Sequence, residues 1–435
     1  MKPGRVSESL VGEVLDLRVG PPAHGGHCVA RIGDQPHGRV VFVRHALPGE
    51  RVRARVTEDA GGAFCRADAI DVLEPSPDRV TPPCPHAGAG RCGGCDWQHA
   101  SDSAQRALKA AVVREQLLRL AGLDVAVEVE PLPGGLLGWR TRTVYSIDGD
   151  GRVGLRRHRS HDVERLSACP LGAAGVGDAP ALQRLWPGLT GVELARGDDG
   201  AVTVLAHRPG PGRQARGRRP PDRVEVLDGP DRLRHTVGGR TFEIEAAGFW
   251  QAHPQAADTF SAALLDQLRP QPGETALDLY AGAGLFTALL GEAVRSHGRV
   301  VGVESSRSAV ADAAGNLADL PHAEVRYGRV TGDLVGDLDV APDVVVLDPP
   351  RAGAGPDVMA AILAHRPRAI GYVACDPAAL GRDIRVAVDL NWRLAGLRAF
   401  DAFPMTHHVE CVALLVPGTE TQPTRAMGAT ATSDQ

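Results

Sequence analysis

The stretch ALDLYAGAGLFT, Ala276–Thr287, decides how the second half of this chain folds. Its first residues read as a buried strand and its last as the start of a helix. Gly282 and Gly284 make the turn between them, and such a turn lets a ligand approach the backbone at a helix N-terminus. Three more runs repeat the pattern: RVVGVE (299–304), DVVVLD (343–348) and AIGYVAC (369–375). Each ends in a charged or small residue, with helical stretches between. From about residue 241 this alternation predicts an α/β fold, a doubly wound parallel sheet of the Rossmann-like kind. In such sheets the ligand crevice lies outside the carboxyl ends of the strands. Tyr280, Glu304, Asp348 and Cys375 all fall at those ends.

The residue types there narrow the chemistry. Glu304 stands 22 residues beyond Gly282, where a carboxylate can accept hydrogen bonds from ribose hydroxyls. A dinucleotide fold would want a third glycine at position 287, which is Thr, so S-adenosylmethionine fits better than NAD. The bland alternative is a packing turn with an incidental glutamate. In DVVVLDPPRAGAG, Pro349 and Pro350 stop the strand and hold Asp348 at the crevice rim. Asp-Pro-Pro at this place points to a methyltransferase acting on a base, against the plainer reading of a strand stop. Cys375, followed at once by Asp376 and Pro377, lacks the wholly apolar surroundings of a packing cysteine.

The rest of the chain reads as two smaller regions and a tail. Residues 5–73 contain GEVLDLRV, GRVVFVRHAL, ERVRARVTE and CRADAIDVL, apolar-alternating runs split by Gly and Pro. They suit a five-stranded OB-like β-barrel that binds nucleic acid, or any small barrel. Residues 74–240 form a small central α+β domain. It holds a cysteine-rich segment and one helix, SAQRALKAAVVREQLLRLAGL, closed by Gly122. Within it, RPGPGRQARGRRPPDR (208–223) reads as a solvated loop whose six arginines could touch phosphate. Residues 241–417 form the Rossmann-like domain, and 418–435 a polar tail expected to be disordered.

Of 48 basic residues only Lys2 and Lys109 are lysines. Residues 1–245 carry 34 basic and 31 acidic groups, whereas 246–435 carry 14 and 22, so a polyanion would dock on the first part. No run of about 18 apolar residues predicts a membrane span. The start, MKPGRVSESL, lacks a signal-peptide core, and a cytoplasmic location is expected. Eight cysteines in that setting suggest metal or catalytic use more than disulfides. CPHAGAGRCGGCDWQH supplies Cys84, Cys92 and Cys95, and SACPLG supplies Cys169. Four thiolates around a glycine-rich loop suit zinc or a [4Fe–4S] cluster, with zinc the commoner outcome of such spacing. Cys28 and Cys65 read as small buried hydrophobes.

In order and spacing these pieces resemble the RNA uracil-5-methyltransferases that carry an N-terminal TRAM domain and an iron–sulfur cluster. The resemblance runs through the β-region, the CGGCDWQH segment with Cys169, GFWQAH (248–253), DLYAGAG, VES, DPPRAG, ACDP and DAFPMTHHVECVALL (401–415). It implies a 23S ribosomal RNA substrate more than a transfer RNA, and a monomer acting on structured RNA. It implies Cys375 as nucleophile and Glu410 as proton acceptor. Gln251, Tyr280, Glu304 and Asp348 would shape the pocket for S-adenosylmethionine and the base. Cys84, Cys92, Cys95 and Cys169 would ligate the cluster, which shifts the metal expectation from zinc to [4Fe–4S]. The chain departs from the family pattern at Ala374 and Asp376 around the cysteine, at His253, and at Ala281 and Leu285 after Tyr280.

The chemistry explains the cysteine. Uracil C5 attacks a sulfonium methyl only after a thiolate adds at C6 and turns C4–C5 into an enolate; a base must then remove the C5 proton. This calls for a low-pKa cysteine and a nearby carboxylate. Two rivals stand beside it: an RNA-binding assembly factor with a degenerate methyltransferase domain, and a base amino-methyltransferase that needs no nucleophile.

Overall fold

The structure, a computed structural model, describes residues 9–34, 38–210 and 222–418. The tail and most of the arginine-rich loop lie outside these.

The first region is a single six-stranded sheet curled on itself. Its order is Val14–Arg18, Arg51–Glu58, Phe64–Glu74, Val40–Arg44, His27–Arg31 and Pro22–Ala23. Along Arg51–Glu58 the side chains alternate out and in, and Val52, Ala54 and Val56 enter a core with Leu17, Val41, Val43 and Cys65. The sheet has one strand more than the five expected; His27–Arg31 and the two-residue Pro22–Ala23 lie outside the four runs named from the sequence.

The middle region holds another six-stranded sheet, built from Val163–Arg165, Val153–Arg156, Arg142–Ile147, Gly191–Arg196, Val202–Arg208 and Arg223–Asp228. Helix α1 (Asp102–Ala121) precedes it, capped by the Ser101 side chain and ended by Gly122 in the left-handed region. Although α1 lies within the 74–240 stretch, it packs against the C-terminal sheet.

That sheet contains β1 (Thr275–Leu279), β2 (Arg299–Glu304), β3 (Ala323–Tyr327), β4 (Val344–Leu347), β5 (Ala369–Ala374), β6 (Trp392–Asp401) and β7 (Glu410–Pro417). The order is β3-β2-β1-β4-β5-β7-β6, with Val129–Pro131 from upstream added beside β6. The first five strands are parallel, and β1, β2, β4 and β5 are buried on both faces, which is why they read as near-continuous apolar runs, whereas the edge strand β3 is partly exposed. Strand β7 reverses, running antiparallel to both β5 and β6. Helices α2 (Ala256–Leu268), α3 (Leu285–Val294) and α4 (Arg307–Asn316) come first in chain order, then α5 (Gly332–Gly336), α6 (Pro356–Ala364) and α7 (Pro377–Asp389).

Candidate active site

Strand β5 ends at Ala374, and Cys375 and Asp376 follow before α7 begins at Pro377. Asp376 caps that helix, its Oδ1 accepting from the Ala379 amide at 2.8 Å. In the β5–β7 ladder Ala374 lies opposite Cys411, so Glu410, the first residue of β7, sits beside Cys375. A parallel β7 would start at the far end of the sheet. The reversal is what places a carboxylate at the exit where the thiol stands.

Asp348 ends the neighbouring strand, its amide donating to the Leu279 carbonyl at 3.3 Å. Burial pushes Glu410 well above the ordinary carboxylate range, and Asp348 adds to the effect. Asp348 itself is pushed up to about 7 by burial and by Asp278. Burial, then Glu410 and Asp348, push the Cys375 thiol up to about 12, while Arg351 pulls it the other way. The low-pKa cysteine anticipated from the chemistry is therefore not the state of the free chain. Arg351 is the cation that acts on both Cys375 and Glu410.

The loop after Asp348 is tied down by Asp383 of α7. Its Oδ2 accepts from Tyr372 Oη and from the Ala354 amide, both at 2.7 Å, and its Oδ1 from the Gly355 amide at 3.1 Å. Gly353 has φ +87° and a Cβ there would meet Asp383 Oδ2 at 2.6 Å, so the close approach requires glycine. Asp383 and Arg351 were missed by the sequence reading; a lone acid on an amphipathic helix and an arginine in a loop give no signal.

On the cofactor side, Glu304 Oε2 accepts from the Gly282 amide at 3.1 Å and Oε1 from the Ser306 amide at 2.6 Å. The carboxylate thus faces the glycine turn. Tyr280 bends the chain there with φ 66°, an uncommon conformation for a residue with a side chain. Thr287, at the place of the missing third glycine, donates to Asp278 Oδ2 at 2.5 Å. Asp278 is fully buried and raised to about 7 by that burial, and its Oδ1 has no partner among the described residues. The sequence reading passed over it because it looked like part of the strand. Gln251 is half-buried ahead of α2, between Trp250 and His253. His253 is buried and stacked on Trp139, and burial lowers it to about 4, which makes it a neutral packing group.

All eight cysteines are free thiols. Cys84, Cys92, Cys95 and Cys169 line one narrow recess with Leu155, Leu166 and Leu171. Gln98 Nε2 donates to Cys95 Sγ at 3.0 Å and the Gly94 amide to Cys92 Sγ at 3.4 Å. Burial pushes the Cys92 and Cys95 thiols up, to about 11 and about 12, and these donors act against it. Four sulfurs, two of them with N–H donors, fit a metal–thiolate group in donor type, although among the described residues no three ligating side chains converge as a single ion requires. Cys28, Cys65 and Cys411 are buried packing residues.

The sheet order, the glycine turn facing Glu304 and the thiol–carboxylate pair together define a methyltransferase of the α/β class. Residues 8–70 match the TRAM domain, and residues 248–417 match the tRNA (Uracil-5-)-methyltransferase family. The 23S rRNA (uracil(1939)-C(5))-methyltransferase RlmD of Alcanivorax borkumensis is 31% identical over 435 residues, covering 90% of this chain and 94% of that protein. An uncharacterized RNA methyltransferase of Streptomyces coelicolor is 47% identical and covers 94% of each chain. The chain belongs to the RNA uracil-5-methyltransferase family. Its fold is shared with the solved Pyrococcus abyssi tRNA (uracil-54, C5)-methyltransferase in complex with S-adenosyl-L-homocysteine. That structure superposes with a TM-score of 0.68 at 23% identity over 92% of this chain and 100% of the other.

Proposed function

We propose that this enzyme methylates C5 of a uridine in 23S ribosomal RNA, with S-adenosylmethionine as methyl donor, Cys375 as nucleophile and Glu410 as proton acceptor. The observation that carries this reading is the antiparallel return of β7, which sets Glu410 against the thiol at the end of β5. The TRAM domain supports an RNA substrate, and the RlmD relatives support the ribosomal reading.

S-adenosylmethionine supplies an electrophilic methyl group on a positively charged sulfur. Glu304 and the turn at Gly282 suit its ribose, and Tyr280, Asp348 and Gln251 the remainder of the pocket. A cation against Asp348, Glu410 and Cys375 lowers all three pKa values, which offsets the burial that raises them in the free chain. Cys375 then adds to C6 of a uracil taken out of its stack. C5 takes the methyl group. Glu410, ionised, removes the C5 proton, and the thiolate leaves. Burial of Glu410 keeps bulk water from doing this work.

Cys84, Cys92, Cys95 and Cys169 would hold a [4Fe–4S] cluster. The methyl transfer needs no electron, so these residues serve to tie the loop at 84–99 to the segment around Cys169. A recess lined by four sulfurs suits a polynuclear cluster better than one zinc ion.

The test uses RNA substituted with 5-fluorouridine, whose C5 fluorine cannot be removed as a proton. Wild-type protein should form a covalent adduct and Cys375→Ala should not. Absence of an adduct with wild type would favour an assembly factor. Methylation surviving Cys375→Ala would favour amino-group chemistry. Mapping 5-methyluridine in RNA from cells with and without this gene assigns the substrate, and loss from transfer RNA alone would overturn the ribosomal assignment.

A further inference from the structure

The barrel touches the segments that carry the proposed catalytic residues. His24 sits at the tip of the hairpin between Pro22–Ala23 and His27–Arg31. Its Nε2 donates to Asp376 Oδ2 at 2.8 Å, joining residues 352 positions apart. Asp376 is the neighbour of Cys375 and one of the departures from the family pattern. Its other oxygen caps α7. Burial pushes the Asp376 carboxyl up, but the His24 bond and the helix amides outweigh it and leave it below its ordinary range.

A second contact reaches the other half of the site. Arg44 Nη2 of the barrel lies 3.3 Å from Asp96 Oδ1, and Asp96 Oδ2 accepts from His407 Nδ1 at 2.6 Å and from the His407 amide at 3.1 Å. His407 stands three residues before Glu410. The hairpin tip can approach because Gly26, with φ +79°, has no Cβ; one built there would meet Asp96 Cγ at 2.8 Å. Cys375 and Glu410 are therefore each one short segment from a side chain anchored to the barrel.

We propose that His24 is a positioning residue for the nucleophile. Through Asp376 the barrel fixes the Cα of Cys375, and through Arg44 and Asp96 it fixes the approach to Glu410, so a domain that grips RNA also sets the thiol–carboxylate geometry. This positioning role rests on the proposed role of Cys375. Consecutive Cα atoms are about 3.8 Å apart, so a shift of Asp376 moves the cysteine almost directly, and a misplacement of about 1 Å at a reacting group costs on the order of a hundredfold in rate.

The experiment compares His24→Ala, His24→Gln, Asp376→Asn, His24→Ala/Asp376→Asn and Cys375→Ala in single-turnover methylation of 23S RNA transcript. His24→Ala should lower the rate about tenfold, the loss of one charge-assisted hydrogen bond, with RNA affinity within about twofold of wild type. Glutamine can still donate to Asp376 and should restore most of the rate. The double variant should be no slower than the slower single variant. Wild-type rate in His24→Ala, or a loss of RNA affinity with the rate intact, would overturn the proposal while an inactive Cys375→Ala left the proposed function standing. An active Cys375→Ala would overturn both.

Discussion

Replacing Glu410 with glutamine should push two measurements in opposite directions. The amide keeps the size of the side chain, and its neutrality imitates the protonated form that burial favours, so folding should be little changed. Turnover needs the carboxylate. A positioned general base contributes about 10² to 10⁴ in rate, or on the order of 3–5 kcal/mol of barrier. Glu410 is only 5% exposed, so water is a poor substitute and the loss should lie in the upper part of that range. Steps before proton removal remain possible, and a methylated covalent RNA–protein complex should accumulate on a denaturing gel. Meanwhile Glu410 is the first charge that holds the Cys375 thiol up. Its removal should move the pH profile of iodoacetamide labelling at Cys375 to lower pH. Turnover within tenfold of wild type, or an unmoved labelling profile, would refute the assignment of Glu410 as base and neighbour of the thiol.

Three further outcomes follow from the structure. Lys109 is buried and donates from Nζ to Asp401 Oδ1 at 2.5 Å and to the Phe403 carbonyl at 3.0 Å; Lys109→Ala leaves an uncompensated carboxylate and should cost about 3–5 kcal/mol in urea unfolding, much of it recovered in Lys109→Met/Asp401→Leu. Asp278 and Asp348 are raised from the ordinary carboxylate range to about 7, so the fold binds protons that the unfolded chain releases. Their contribution is complete below pH 4 and is lost as pH rises through about 7, and unfolding midpoints at pH 5 and pH 8 should show that loss, smaller in Asp278→Asn. Protein purified without air should be brown and hold about four irons, and colourless protein with one zinc would sink the cluster assignment.

The crevice was legible because α/β sheets punctuate themselves. DLYAGAG, VES, DPPR and ACDP each end a buried run, and the chain need only alternate strand and helix to bring those ends together. The barrel was legible in the alternation of four runs, but not at His27–Arg31 or at the pair Pro22–Ala23, too short to carry a pattern. Glu410 was legible only through family resemblance, because its place depends on β7 reversing against β5. The protonation of the site was not legible at all. Cys375, Glu410 and Asp348 come from three strands, and only their convergence lets Asp348 raise Glu410 and both carboxyls raise the thiol. Helix α1 shows the same limit: its periodicity announced a helix, but nothing local said that it docks on α7.

That docking has a consequence for how the chain can be divided. The C-terminal sheet borrows its outermost strand, Val129–Pro131, and a covering helix from sequence more than a hundred residues upstream. Gly381 of α7 lies so near α1 that a Cβ would stand 3.1 Å from the Gln116 carbonyl. A fragment cut at residue 241 would expose a sheet edge and an apolar helix face together, a ready template for aggregation. On the ribosome, α1 must wait, already made and half covered, until the last strands emerge to receive it.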